Sequence, residues 1–344
     1  MTVVFTIQHP AHVHLFRNPI AELEAVTNVE VVVRDKEMAV ELLEAYDIDH
    51  TVLAADVGSI SNLFVNQLRY EFAVWRHVRG LDPTVIVGVG GVTASHVATL
   101  TGATSIIFVD NEDRHAPSNK LAVPFADVVC TPRSLESDYG DKQVRYDGFH
   151  ELAYLHPDRF APDPNLLERR GIDVDERYFV LRFVGWTAHH DVGRSGFSAE
   201  QRANLVSALD ELGSVYITSE SPLPSTFEEY RLPVEPQHVH HLLYFADVYV
   251  GDSGTMATEA AILGTPSIRL RPEGIGRDFG NFTVLEADYD LLYSTANASA
   301  AVKRAIDLAT DPESKTRWRS NAAELVDDSI DVSAFIVDMI DEYR

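Results

Sequence analysis

The strongest constraint on this chain is an alternation of short apolar runs with helix-period segments that proceeds, breaks once, and starts again. Residues 3–7, 29–33, 51–54, 85–89, 105–109 and 127–130 are apolar runs of strand length. Between them lie helical patterns at 13–26, through Tyr46, and at 60–78, where Leu63, Phe64, Leu68, Phe72 and Trp75 recur at spacings of one, three and four. Residues 154–170 carry Pro157, Pro162 and Pro164 and read as a linker. The alternation then resumes, with strands at 178–184, 215–218, 246–250 and 266–270 and helices at 199–212, 238–245 and 256–263. The tail, 289–344, reads as largely helical, with breaks near Asp311 and Asp327. Strands separated by helices imply parallel sheets with crossovers. The expected organisation is an α/β chain of two doubly wound domains, 1–160 and 170–325, with a helix at 326–344 that packs back on the first.

Length agrees, since 344 residues exceed the roughly 250–300 at which single cores stop growing. No apolar run approaches the ~20 residues of a membrane span. The first seven residues lack the basic segment of a signal peptide and read as a strand. Cys130 is the sole cysteine, which leaves no internal disulfide and fits a reducing cytoplasm.

Charge narrows the partners. The chain has 53 acids against 28 bases, for a net charge of −25, and five of the bases are Lys. Such a surface is not expected to track nucleic acid, whose binding rests on basic patches. The acids are scattered, as at Glu22, Glu24, Glu41, Glu44 and Asp47, which fits a solvated surface rather than a disordered tail. An acid-rich, Lys-poor surface is the expected adaptation to a salt-filled cytoplasm, where counterions screen self-repulsion.

Ligands of doubly wound sheets bind outside the carboxyl ends of strands, so the loops there are the candidate sites. The most informative one runs Gly251, Asp252, Ser253, Gly254, Thr255, with a helix starting at once. Free N–H groups at that helix start and two hydroxyls suit a phosphate. Glu259 lies one turn on, on a face that reaches toward a ribose. The alternative is a plain capped helix in which Ser253 only caps.

The stretch 242–269 resembles the nucleotide-binding segment of GT-B glycosyltransferases and of hydrolysing UDP-N-acetylglucosamine 2-epimerases. Those proteins have a leucine-rich helix, an Ala-Asp pair (here Ala246, Asp247), a strand, a Ser-Gly turn (Ser253, Gly254), then Glu-Ala (Glu259, Ala260) and Leu-Gly-x-Pro (Leu263, Gly264, Pro266). The resemblance implies the GT-B fold, two Rossmann-like domains facing across a cleft, and with the charge a halophilic archaeal branch. It also implies a UDP-type sugar nucleotide held mainly by the second domain, no metal and no cofactor beyond the substrate. By the same resemblance Ser253, Gly254 and Thr255 hold the diphosphate, Glu259 holds the ribose, and Gln237, His238, Val239 and His240 border the base. Epimerases carry paired acids where this chain has Thr258 before Glu259, a departure from their pattern.

Other loops supply further candidates. His9 and His12 follow the first strand and are candidates for a general base or a phosphate or sugar contact. With His14 they are also a short-spaced metal alternative, without an adjacent carboxylate or Cys. Asp110 and Glu112 are acid/base candidates, set against a solvated acidic loop. The glycines at 88, 90 and 91 form a turn read as close packing. Gly185, His189, His190 and Arg194 follow the first strand of the second half; the GT-B resemblance implies that they are candidate diphosphate or sugar contacts, and the alternative is a polar loop.

The leading expectation is a metal-independent glycosyltransferase that moves a sugar from a UDP-type donor to an alcohol or lipid-linked acceptor. Its partners are then a nucleotide sugar, a sugar, lipid-linked or small-molecule acceptor, and a membrane only at its periphery. The alternatives are a 2-epimerase-like enzyme and a non-catalytic nucleotide-sugar-binding protein.

Overall fold

A computed structural model describes residues 1–36, 38–55, 63–110, 117–183, 196–219, 222–271, 278 and 280–344. Among them the chain forms two compact units, Met1–Arg159 with Ser329–Arg344, and Phe160–Asp328.

The first unit is built on β1 (Thr2–Ile7), β2 (Asn28–Asp35), β3 (Thr51–Ala55), β4 (Pro83–Val89), β5 (Thr104–Phe108), β6 (Val128–Pro132) and β7 (Gln143–Tyr146). They pair in the order β3-β2-β1-β4-β5-β6-β7, all in parallel. The crossovers include α1 (Pro10–Glu24), α2 (Ala39–Ala45), α3 (Leu63–Val78), α4 (Val92–Thr101) and α5 (Pro117–Ala122), with α6 (Leu152–Leu155) after β7. Parallel strands need such crossovers, and helices then cover the sheet. Tyr70, Val74 and Val78 of α3, Ala94, Val97 and Ala98 of α4, and Ala122 of α5 share one core with Val4, Val32, Ile86, Ile107 and Val129.

α1 begins three residues before the expected 13–26. His9 has extended backbone, and its side chain accepts the Ala11 N–H, while Pro10 fills the first helical position. Proline fits there because that N–H has no helical acceptor. β7 and its ladder to β6 were absent from the apolar pattern. Three of its four residues are only half-buried, as on an edge strand.

The second unit contains α7 (Pro164–Glu168), β8 (Tyr178–Phe183), α8 (Ala199–Asp210), β9 (Ser214–Ser219), α9 (Val239–Phe245), β10 (Val248–Gly251), α10 (Gly254–Ile262), β11 (Ser267–Leu270), α11 (Gly280–Ala287), β12 (Leu292–Thr295), α12 (Ala298–Thr310) and α13 (Ser314–Asp327). The sheet order is β12-β11-β10-β8-β9, again all parallel. β12 interrupts a tail that reads as helical. It too is an edge strand with one buried residue in four.

The stretch 154–170 is not wholly a linker. Tyr154 and Leu155 are buried in the first unit, where the Tyr154 ring lies 5.2 Å from that of His14. The chain returns to that unit through α14 (Val332–Tyr343), capped by Asp331, which accepts the N–H groups of Ser333 and Ala334. Arg159 binds both Asp331 and Glu22. Val332, Ile336 and Ile340 are fully buried, and each such side chain contributes up to about 1.5–3 kcal/mol.

Candidate functional site

In the first sheet the strand order reverses between β1 and β4, and ligands collect outside carboxyl ends at such a reversal. His9 caps α1 directly after β1, and His12 lies in the first turn of that helix. The Nδ1 of His9 accepts the Ala11 N–H at 3.1 Å, and that of His12 accepts the Gln8 N–H at 3.4 Å. A neutral imidazole that accepts at Nδ1 carries its proton on Nε2. Both histidines are thereby set as Nε2–H donors, which revises the general-base reading. Burial, followed by the neighbouring His9, pushes His12 from 6.5 down to about 3. It stays neutral, and its Nδ1 lone pair is taken up by the Gln8 N–H. His14 turns away, buried against Tyr46 and Tyr154, so the three histidines do not converge on a metal.

Asp110, just beyond β5, meets a residue that the sequence pattern missed. His150 Nδ1 stands 3.4 Å from Asp110 Oδ2, with the imidazole buried and the carboxylate 47% exposed. The His150 ring stacks on Tyr146 at 6.3 Å and 14°, and Phe108 meets it edge-on at 6.2 Å. Burial opposes both charges, but the charge and hydrogen bond of His150 outweigh it and hold the Asp110 carboxyl below its usual range. Likewise burial works to lower His150, and the charge and hydrogen bond of Asp110 outweigh it and raise the imidazole. Each group thus favours the charged form of the other. His12 feels the charges of both residues, so His9, His12, Asp110 and His150 form one cluster. His150 escaped the sequence reading because it follows β7, whose pattern was too weak to mark a strand end.

The glycine turn after β4 is a packing device, as its sequence reading had it. Gly91 has φ +62, and a Cβ there would stand 2.6 Å from Ile107 Cβ.

In the second sheet the order reverses between β8 and β10, and β10 ends at Gly251, directly before α10. Ser253 caps that helix, its Oγ accepting the Met256 N–H at 3.4 Å. The first intrahelical bond runs from Ala257 N to Ser253 O at 3.2 Å. The amides of Gly254 and Thr255 precede it and so have no intrahelical acceptor. Gly254 serves a close approach, but of a ring: its Cβ would stand 2.9 Å from Phe282 Cζ.

Glu259 is buried, and its Oε1 lies 3.0 Å from His240 Nε2. That contact assigns His240, expected at the base, to holding Glu259 instead. His238 stands at the N-cap of α9 and is half-buried, and burial lowers its pKa. Gln237 and Val239 are half-buried beside it.

Arginines add what the motif did not reveal. Gly251 pairs in register with Arg182 on β8 and Arg269 on β11, so both flank the helix start on one face of the sheet. Arg182 donates to Thr218 Oγ1 at 3.0 Å. Arg269 donates to Asp278 at 2.6 Å and lies 3.6 Å over the Phe282 ring. Arg202 is buried over Phe183. A lone Arg near the end of an apolar strand was the sequence signal for Arg182 and Arg269. A hollow of about 400 Å³ lined by Arg177, Asp247, Lys315 and Arg319 lies at the other, amino end of β8 and β10. Its Lys315 and Arg319 already donate to carbonyls of Phe245 and Leu263, and we read it as structural.

Glu112, Gly185, His189, His190 and Arg194 lie outside the described residues.

Residues 1–344 match the family model described as "Protein of unknown function (DUF354)". The chain belongs to this family. The chain is also similar to the Methanocaldococcus jannaschii protein MJ0665, 22% identical over 285 residues, covering 79% of this chain and 82% of that one. Among solved structures the DUF354 chain is similar to the UDP-GlcNAc 2-epimerase of Neisseria meningitidis bound to UDP-GlcNAc, with a TM-score of 0.66, 14% identity and coverage of 99% and 100%. It is also similar to the spinosyn rhamnosyltransferase SpnG complexed with spinosyn aglycone, with a TM-score of 0.64, 12% identity and coverage of 98% and 99%. At these identities the likeness shows the fold. This DUF354 protein has the GT-B fold, α/β with two Rossmann-like parallel sheets.

Proposed function

We propose that this protein is an enzyme acting on a nucleotide sugar, transferring the sugar from a UDP-type donor to an alcohol or lipid-linked acceptor. The observation that carries the reading is the carboxyl end of β10, where a capped helix start stands between Arg182 and Arg269. Backbone N–H groups and guanidinium groups there stabilise the departing diphosphate. In the first unit the Asp110 carboxylate, with His150 beside it, is equipped to take a hydroxyl proton. The acceptor oxygen bonds to the anomeric carbon as the bond from that carbon to the phosphate oxygen breaks. His9 and His12 donate hydrogen bonds through Nε2. The protein itself supplies these charges, so the reading requires no metal or cofactor.

A second reading is favoured by the Asp110–His150 pair. A carboxylate beside a histidine is equipped to remove and return a proton, as a 2-epimerase requires. Incubation with UDP-sugars separates the two. UDP release that depends on an added alcohol acceptor supports transfer, and a 2-epimer formed without acceptor supports epimerisation. UDP binding with neither product would leave a nucleotide-sugar-binding protein and overturn the enzyme reading.

A further inference from the structure

The helix layer α3–α4–α5 differs in charge from the rest of this acidic chain. These three helices contain one acid, Glu71, and it is buried, bonded to His96 at 2.9 Å and to Gln67 at 2.7 Å. The bases face out: Arg69 and Arg76 on α3, Arg79 just after it, and Lys120 on α5 are all exposed. Among the described residues, Asp82 and Asp127 are exposed acids at the amino ends of β4 and β6, with Asp127 bonded to Ser105, and Glu30 of β2 pairs with His77 of α3 at 2.7 Å. In a chain with 53 acids, this is a local inversion of charge.

The same layer exposes large apolar side chains. On α3 Tyr70, Val74 and Val78 face the core, while Val65, Leu68 and Phe72 are 43%, 49% and 60% exposed. Spacings of three and four place these three on one stripe. Trp75 extends it, its ring 5.6 Å from that of Phe72, with the Arg79 guanidinium 4.8 Å above it. Leu100, Leu121 and Phe125 are also exposed on the layer. A hydrated surface gains nothing from such a stripe. An aromatic and aliphatic stripe edged by arginines matches an interface with apolar tails beneath anionic headgroups.

We propose that the outer face of α3 docks this protein on a membrane surface of anionic phospholipid. Phe72, Leu68 and Val65 enter the acyl boundary, and Arg69, Arg76 and Arg79 contact the phosphates. The negative remainder of the chain is screened over about 10 Å at 0.1 M salt, so the local charge governs the approach. A second copy of the chain is a poorer occupant. A twofold contact brings the patch against itself, and three arginines then meet three arginines on a face whose one acid is buried. The proposal is independent of the chemistry of the nucleotide-sugar reading.

The test is sedimentation of the full chain with vesicles of phosphatidylcholine alone or mixed with phosphatidylglycerol. The expected result is co-sedimentation with the anionic vesicles only, weakening as salt rises. Each basic residue at such a surface changes partition roughly fivefold, so Arg69→Gln/Arg76→Gln/Arg79→Gln is expected to bind roughly a hundredfold more weakly. Leu68→Asp/Phe72→Asp removes the apolar stripe and abolishes sedimentation. Val26→Asp, at a 66% exposed apolar side chain on another part of the surface, leaves it intact. Unchanged melting temperatures confirm that the variants fold, and the arginine variant carries the test if the apolar one does not. Equal sedimentation with both vesicle types, or by both variants, overturns the proposal. So does concentration-dependent dimerisation that Leu68→Asp/Phe72→Asp abolishes without any vesicle binding, because the face is then an interface between copies.

Discussion

Beyond β1 and β5 of the first unit stand histidines and a carboxylate, while at the corresponding ends of β8, β10 and β11 in the second stand arginines and a helix start. Both regions follow from the same reversal of order in a parallel sheet. The side chains that fill them differ in one physical respect. Imidazole and carboxyl groups change protonation within the ordinary pH range, whereas guanidinium groups and backbone dipoles do not. Groups that titrate can move protons, and groups with fixed charge can hold an anion without exchanging one. On the proposed function, the first region is suited to the chemical step and the second to retention of the nucleotide.

That division breaks if altering one region disturbs the function of the other. Its sharpest test has the largest expected effect. Asp110→Asn keeps the shape and removes the proton acceptor, so turnover is expected to fall by roughly 10²–10⁴-fold. UDP affinity, measured by calorimetric titration, is expected to stay unchanged. A fall in affinity of similar size would show that Asp110 serves binding, and the contrast between the units would fail.

Glu259→Ala probes the other side. If Glu259 accepts hydrogen bonds from the ribose, its loss weakens UDP binding by roughly tenfold to a hundredfold. Its burial against His240 adds a second consequence. The buried His240 Nε2 loses its carboxylate, and stability falls by about 1–3 kcal/mol. Glu259→Gln keeps one acceptor and is expected to lose less of both. Unchanged affinity in folded Glu259→Ala would make the pair purely structural and remove the ribose role.

The smallest effect is on stability against pH. His12 is held near 3 in the folded protein against 6.5 for the free side chain. Between those values the unfolded chain binds a proton that the folded chain does not. Stability therefore falls as pH drops from about 6.5 towards 3, with a slope of one proton from this residue. His150 and Asp110 act differently. The raised His150 contributes below its unfolded pKa and loses that contribution as pH rises through its folded value. The lowered Asp110 contributes above its unfolded pKa and loses that contribution as pH falls through its folded value. Melting curves of the protein and of His12→Gln between pH 4 and 7, roughly the window in which histidine charges, are expected to show a shallower acid decline in the variant. Parallel curves would mean that His12 is not held neutral.

The central strands were legible in the sequence because both of their faces are buried. β1 and β10 are buried at every residue and read as continuous apolar runs. The start of α10 was legible for a different reason: Ser253 and the glycine before Asp252 mark a cap and a strand end by composition alone. The edge strands β7 and β12 escaped, since one buried face leaves no continuous run, and with β7 went His150. Two contacts were beyond any local pattern. His240 reaches Glu259 across 19 residues, and His150 reaches Asp110 across 40, through strands ordered by the sheet. Sequence by itself determined the central strands and the helices between them, because periodicity and capping act within a few residues. Tertiary structure decided which titratable groups meet, because charge and burial depend on neighbours that only the order of the strands brings together.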